Sequence, residues 1–230
     1  MGTRPIPEAT VARFPLYLRV LAAEHELTIS SERLADRAGV NAAQVRKDLS
    51  HLGPCGTPGV GYDVAYLLRQ INQALGLTER RRVAIVGAGN LGRALAGYRG
   101  FSDWGFEIVA ALDVDPSKVG QSLGPATIYP MSDLAAVMSR QRVDIAMVTT
   151  PASAAQAAID ALAAAGVTAI LNFAPVVVSA PPGTAIRPVD LGVELQVLSY
   201  HAAAGEGPRG RGGDWRKVPR RGKLEGTEAV

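Results

Sequence analysis

Val83-Ala-Ile-Val-Gly-Ala-Gly-Asn-Leu-Gly92 is an apolar run that stops at a glycine and passes into a helical pattern. Four consecutive Val, Ala and Ile residues suit a strand buried on both faces. Gly87, Gly89 and Gly92 stand in the Gly-x-Gly-x-x-Gly spacing of a dinucleotide-binding turn. Gly87 permits the tight turn, Gly89 lets the backbone approach a pyrophosphate, and Gly92 lets the following helix lie close to its strand. Together with Ala88, Asn90 and Leu91 they would offer backbone amides and the positive end of a helix dipole to phosphates. A bare triplet also occurs in ordinary turns, so its surroundings decide. Twenty-one residues beyond Gly92, the run Ile108-Val-Ala-Ala-Leu-Asp113 ends in a carboxylate, near the ~20-residue separation at which a ribose diol is held. Asp113, with Val114 beside it, would repel a 2′-phosphate, so NAD+ and NADH are expected over their phosphorylated counterparts. The alternative is that Asp113 only opens the turn Asp113-Val-Asp-Pro116.

Strand and helix patterns keep alternating downstream. Ser132 to Arg140 reads as a helix, Val143 to Val148 as a buried strand, Ala152 to Ala165 as an Ala-rich helix and Ala169 to Phe173 as a further strand. Such alternation gives a parallel sheet covered by helices on both faces, with ligands at the carboxyl ends of its strands. Thr149-Thr150-Pro151 and Asn172-Phe173-Ala174-Pro175 are therefore candidate ligand turns, against the plainer reading of ordinary turn chemistry. Val189 to Ala204 is a last helix, apolar nearly all round through Leu191, Val193, Leu195, Val197, Leu198 and Tyr200. Such a helix must be covered, and a second subunit would cover it.

Upstream of the glycine turn the pattern is helical. Val11, Phe14, Leu18, Leu21 and Ala22 recur at helical spacing within residues 8 to 24, and Pro15 makes that helix kink or start afresh. Ser30 can cap a helix from Ser31 to Ala38, which Gly39 ends, and Asn41 can cap the next, Ala42 to His51. Two short helices around a glycine turn form a helix-turn-helix, whose second helix enters the major groove. Val45, Leu49 and Leu52 would face inward, leaving Asn41, Gln44, Arg46, Lys47 and Ser50 outside to bond bases and phosphates. A helical bundle with a solvated charged face is the alternative. Gly53-Pro-Cys-Gly-Thr-Pro-Gly-Val-Gly-Tyr62 suits a hairpin, a wing placing Thr57 and Gly59 near DNA. Val64, Leu67, Leu68, Ile71 and Leu75 then line a helix closed by Gly76.

The chain has 230 residues, 47% of them hydrophobic, enough for one or two domains. Lys and Arg against Asp and Glu count 9 to 8 over residues 1–80, 8 to 9 over 81–204 and 7 to 4 over 205–230, so the net +3 equals the excess of the tail. Binding of DNA must then be argued from local charge. Residues 205–230 read as a disordered basic tail adding salt-sensitive affinity. No apolar run reaches the ~18 residues of a membrane span and no signal core follows Met1, so a soluble cytoplasmic protein is expected. The single cysteine, Cys55, forms no internal disulfide, and the spread of His25, His51 and His201 argues against a metal site. Cys55 reads as an exposed thiol, with oxidant sensing from the wing as the alternative.

The order of a winged helix-turn-helix, a Rossmann domain and a lone terminal helix resembles the redox-sensing transcriptional repressor Rex family, from about Ile6 to Ala204. The resemblance is carried by Ile6-Pro-Glu-Ala9, Tyr17-Leu-Arg19, Gln44-Val-Arg-Lys-Asp-Leu-Ser50, Gly59-Val-Gly-Tyr62, Gly87 to Gly92, Asp113-Val-Asp-Pro116 and Leu171-Asn-Phe-Ala-Pro175. It implies an α/β protein with a DNA-binding domain over residues 1–78, an NAD(H)-binding domain over 79–188 and a C-terminal domain-swapped helix over 189–204. It further implies a homodimer that binds double-stranded inverted-repeat operators of respiratory and fermentative genes and is released by NADH. By that similarity Arg46 and Lys47 contact DNA, Asp113 holds the adenosine ribose, and the turn after Thr149 and the Asn172-Phe-Ala174 segment line the nicotinamide end. Tyr98 and Asp190 correspond to positions linked to the nicotinamide pocket and domain closure, with Arg19 a charge partner for Asp190. Two positions depart from the family pattern, His51 where an aromatic is usual and Pro58 where an arginine is usual; the missing wing arginine implies weaker operator binding.

Two rivals remain at this point. An NAD-dependent oxidoreductase would need an acid or base at a strand end, for which Tyr98 is the candidate and no histidine is placed. A CoA-binding Rossmann protein is the other.

Overall fold

The glycine turn sits where the order of a parallel sheet reverses. A computed structural model describes residues 5–57 and 59–203, which fall into two compact units, one ending at Gly76 and the other beginning at Leu77.

In the first unit the Pro15 break resolves into two helices, α1 (Glu8–Val11) and α2 (Phe14–Ala22), with Pro15 in the first turn of α2, where its missing N–H is not needed. A short strand β1 (Thr28–Ile29) leads into α3 (Ser31–Ala38), whose cap Ser30 accepts the Arg33 N–H at 3.1 Å. Gly39 closes α3 in the left-handed conformation, φ +70°. Asn41 caps α4 (Ala42–Leu49), accepting from the Gln44 N–H at 2.7 Å, and a 3-10 turn carries the chain through Leu52. The hairpin follows as β2 (Gly56–Thr57) and β3 (Gly61–Asp63). Sequence reading missed β1, which pairs antiparallel with β3 to give a sheet ordered β1-β3-β2. α5 (Val64–Ala74) completes the unit, and Phe14, Tyr17, Leu21, Leu34, Val45, Leu49, Leu67 and Ile71 form its core.

The second unit is doubly wound. It runs β4 (Arg81–Val86), α6 (Asn90–Ala96), α7 (Gly100–Asp103), β5 (Phe106–Asp113), β6 (Ser122–Leu123), β7 (Ala126–Pro130), α8 (Leu134–Arg140), β8 (Ile145–Val148), α9 (Ala152–Ala164), β9 (Ala169–Asn172), β10 (Ala185–Pro188) and α10 (Leu191–Ala203). The strands lie in the order β10-β9-β8-β4-β5-β7-β6, parallel except for the β6/β7 pair. From β4 the chain winds one way to β5 and β7, then returns beside β4 with β8 and continues to β9 and β10. That reversal opens a crevice between the carboxyl ends of β4 and β8.

Both faces of β4 are buried, as its unbroken apolar run requires. Ala84 and Val86 join Leu134, Val137, Ile159 and Leu162 on one face, and Val83 and Ile85 join Ala96, Ala111, Ile128 and Met147 on the other. α7, β6, β7 and β10 were not foreseen. They are short, and β7 and β10 each end on a proline that breaks the strand pattern.

Candidate functional site: a nucleotide cavity and a DNA-reading helix

At the β4–β8 crevice a cavity of about 470 Å³ is lined by Gly87, Gly89, Asp113, Val114, Thr149, Thr150 and Pro151, among others. Gly87 has φ +105°, and a Cβ there would come within 2.9 Å of the Thr149 backbone. The Thr149 hydroxyl donates to the Gly87 carbonyl at 2.7 Å, tying the two strand ends together. A Cβ at Gly92 would lie 2.1 Å from the Gly87 oxygen, so α6 can rest on its strand only without a side chain there. A Cβ at Gly89 would meet nothing within 4 Å; the backbone here faces open space. Gly89 also stands as the N-cap of α6 with no side-chain cap.

Asp113 ends β5, 8% exposed. Its Oδ2 accepts the Ala88 N–H at 2.7 Å and the Lys118 ammonium at 3.0 Å, and its Oδ1 accepts the Asp115 N–H at 2.9 Å. Burial alone would raise its pKa, but these donors outweigh it and hold the carboxyl below its ordinary value. It is an ionised acceptor at the cavity wall. Thr150 supplies a second polar group, its Oγ1 buried without a hydrogen-bond partner. Asp115 and Lys118 also line the cavity beside Asp113, and Val86, Leu112, Met131, Ala154, Ala157 and Ala158 form an apolar wall. A glycine cradle with room beyond Gly89, a carboxylate for a diol, an apolar wall for a base and an unpaired hydroxyl fit an adenine dinucleotide.

Of the expected nucleotide residues, Gly87, Gly89, Asp113, Val114, Thr149, Thr150 and Pro151 meet in this cavity, whereas Ala88 is buried in the core and Asn90, Leu91 and Gly92 stand in α6 without lining it. Asn172, Ala174 and Asp190 line a different cavity, of about 620 Å³, with Val176, Val177 and Val193. Asn172 is 1% exposed and folds on its own turn, its Oδ1 accepting the Ala174 N–H at 3.0 Å. Asp190 caps the start of α10, accepting from the Gly192 N–H at 2.8 Å. Phe173 packs into the core beneath the sheet, and Tyr98 lies edge-on to Phe101, its ring centroid 5.0 Å away. Lys118 was missed. Its sign in the sequence is a lone cation five residues beyond a ribose-type aspartate.

In the first unit, α3 and α4 meet with Ala35 buried at their crossing. Arg46, Lys47, Ser50, His51, Thr57 and Gly59 are exposed. The Arg46 guanidinium donates to Ser31 Oγ at 2.9 Å and to Glu32 Oε1 at 3.0 Å. Asn41 is committed to its cap and Ser50 donates to the Lys47 carbonyl at 2.7 Å. Gln44 turns inward rather than outward: its amide donates to Asp48 Oδ1 at 2.8 Å. Asp48, absent from the expected inward stripe, is fully buried and also receives Thr10, Tyr17 and both Arg13 donors at 2.6–2.9 Å. Leu52 is only half-buried.

Cys55 is half-buried rather than exposed; burial raises its pKa, and its thiol lies 3.4 Å from the Leu49 carbonyl. Pro58 and residues 204–230 lie outside the described residues. Among the described residues no group of three or more His, Cys, Asp or Glu could hold a metal, and no helix is long and apolar enough to cross a membrane.

Fold and site together define a class: a winged helix-turn-helix joined in one chain to a Rossmann unit with a dinucleotide cradle. The family models that match are a putative DNA-binding protein N-terminus over residues 5–50 and a CoA binding domain over residues 78–176. The redox-sensing transcriptional repressor Rex of Streptomyces griseus subsp. griseus is 54% identical over 202 residues, 86% of this chain and 80% of that protein. The repressor of the same name from Pelotomaculum thermopropionicum is 41% identical over 213 residues, 91% and 100% of the two chains. Among solved structures, RSP in complex with β-NAD+ and operator DNA superposes with a TM-score of 0.81 at 32% identity, covering 87% of this chain and 94% of that one. RSP in complex with β-NADH gives 0.78 at 30% identity, covering 88% and 96%. The chain belongs to the redox-sensing transcriptional repressor Rex family.

Proposed function

We propose that this chain is a transcriptional repressor that reads the NADH/NAD+ balance, binding inverted-repeat operator DNA as a homodimer and leaving it when NADH binds. The observation that carries this is the pairing, in one chain, of the Asp113 carboxylate in a glycine cradle with an exposed Arg46/Lys47 face on the second helix of a helix-turn-helix. The curated relatives are named repressors, and RSP has been crystallised with β-NAD+ and operator DNA and with β-NADH. The carboxylate also speaks against CoA, whose adenosine ribose carries a phosphate that an ionised Asp113 would repel.

Arg46, Lys47, Ser50, His51, Thr57 and Gly59 form the DNA face, with Asn41 and Gln44 fixing the helix that carries it. The cradle and Asp113 hold the adenosine and phosphates. The turn after Thr149, with Asn172, Phe173, Ala174, Tyr98 and Asp190, serves the nicotinamide end. Residues 1–78, 79–188 and 189–204 act as DNA-binding domain, nucleotide domain and dimer helix, and residues 205–230 as a basic tail. Dimerisation is supported by α10, in which Leu191, Val193, Leu195, Val197, Leu198 and Tyr200 are 50–71% exposed; so large an apolar surface calls for a partner. The chain works as a sensor rather than an enzyme, in the cytoplasm.

A mobility shift on an inverted-repeat operator, with NADH and NAD+ titrated separately, tests the reading. Release by NADH at concentrations where NAD+ has no effect is expected; equal effects, or none, refute it.

A further inference from the structure

The nucleotide cavity carries three charges, Asp113, Asp115 and Lys118. Lys118 is its one cation among the described residues, and a rigid turn places it there. Asp113 Oδ1 accepts the Asp115 N–H at 2.9 Å, and Asp115 Oδ1 accepts both the N–H and the hydroxyl of Ser117, at 2.9 and 2.6 Å. The Lys118 N–H then bonds to the Asp115 carbonyl at 3.1 Å. The ammonium so positioned lies 3.0 Å from Asp113 Oδ2 and 3.8 Å from Asp115 Oδ2.

Two consequences follow from counting acceptors and charges. Asp113 Oδ2 has two lone pairs, and Ala88 N–H and Lys118 occupy both. Oδ1 has given one to Asp115, so a single acceptor position is left for a ribose that offers two hydroxyls. Lys118 therefore competes with the ribose for Asp113. The summed charge is also negative only because two carboxylates outnumber one ammonium. Neutralise Asp113 and the same ammonium faces the place a 2′-phosphate would take.

We propose that Lys118 is a specificity-determining residue of the nucleotide cavity: held by Asp113 it leaves the ribose end closed to a 2′-phosphate, and freed from Asp113 it becomes the partner of a 2′-phosphorylated dinucleotide. The proposal rests on the nucleotide reading given above and concerns which dinucleotide the cavity accepts.

Nicotinamide fluorescence of the full-length protein, titrated with NADH and with NADPH, tests it for the wild type, Asp113→Asn, Lys118→Met and the double variant. Asp113→Asn is expected to move the affinity ratio toward NADPH by at least about tenfold, or about 1.4 kcal/mol. The double variant should give back most of that gain. Lys118→Met alone provides a measurement independent of how Asp113→Asn folds: NADH should tighten and NADPH weaken, each by about threefold, through the freed lone pair and the lost ammonium. Equal NADPH affinity in Asp113→Asn and the double variant overturns the proposal, as does a parallel loss of both nucleotides in Lys118→Met. Wild-type protein that binds neither nucleotide overturns the nucleotide reading itself, before any substitution is compared.

Discussion

Asp48→Ala should unfold the first unit at a much lower temperature. The carboxylate is fully buried and is the common acceptor for Thr10, Arg13, Tyr17 and Gln44, side chains drawn from α1, from α2 and the turn before it, and from α4 itself. Removing it strands a guanidinium and a buried phenol, and breaking a buried pair in this way costs about 3 to 5 kcal/mol. The Arg13 side chain is 24% exposed and regains some water, which points to the low end. A loss of about 3 kcal/mol in a unit of this size lowers Tm by more than about 12 °C. Thermal melting of the full chain by circular dichroism reads this, with NADH fluorescence reporting on the second unit. Asp48→Asn keeps the shape and loses the charge, so it should fall in between. A first transition within 2 °C of wild type in Asp48→Ala would show that the hub contributes nothing.

The same residue sets an acid limit. Burial would raise the Asp48 pKa, but Arg13, Tyr17, Gln44 and Thr10 lower it from 3.8 to about 2. A folded pKa below the unfolded one means stability present in full above about pH 4 and lost as pH falls toward 2, about 2 kcal/mol in all. Tyr17, whose pKa burial and the carboxylate push up, stays a donor throughout.

Other outcomes separate the roles of neighbouring residues. Gly92→Ala should destabilise the second unit by several kcal/mol, since its Cβ would strike the Gly87 oxygen, whereas Gly89→Ala should leave Tm nearly unchanged and weaken NADH at least about tenfold by filling the cradle; the reverse pattern in melting and titration refutes the assignment. Glu32→Gln removes the carboxylate that bonds Arg46; the fold should hold, since exposed pairs contribute little, while non-specific DNA affinity rises and its salt slope steepens by about one phosphate contact. Pro58→Arg should tighten operator binding by about 1 to 3 kcal/mol, and anisotropy showing no change refutes the wing argument.

What was legible in the sequence was local. Ser30, Gly39 and Asn41 act within one helical turn of their place in the chain, so α3 and the start of α4 could be read to the residue. The glycines around Gly87 likewise answer to contacts with an adjoining strand end. Asp48 shows the limit. It sits at helical spacing between Val45, Leu49 and Leu52, a place on the inward stripe, yet an acidic residue reads as surface until its partners are known. Those partners lie 31 to 38 residues away in the case of Thr10, Arg13 and Tyr17, and nothing local announces them. Gln44 was misplaced for the same reason, its amide serving that hidden carboxylate. Lys118 escaped because a lysine in a polar turn has no periodic pattern to fix its direction.

The residues of the expected nucleotide site line two different cavities. The cavity at Gly87, Asp113 and Thr149 is the one proposed for the phosphates and adenosine, groups that NAD+ and NADH share. A ligand shifts a conformational balance only through a difference in affinity between states, and a grip on shared groups supplies none between the two redox forms. Discrimination must therefore arise where the rings differ, in charge and planarity of the nicotinamide, and of the residues proposed for that end only the turn at Thr149 lines the first cavity, while Asn172, Ala174 and Asp190 line the second and Tyr98 and Phe173 neither. Asn172 and Asp190 are also tied to backbone, one locking the turn after β9 and the other capping α10. A ring that engages Asp190 must displace or extend its cap bonds, and so acts on the geometry of the helix proposed to join two subunits. Gly89→Ala should then weaken NAD+ and NADH alike, whereas Asp190→Ala should change their ratio and the melting of the dimer together.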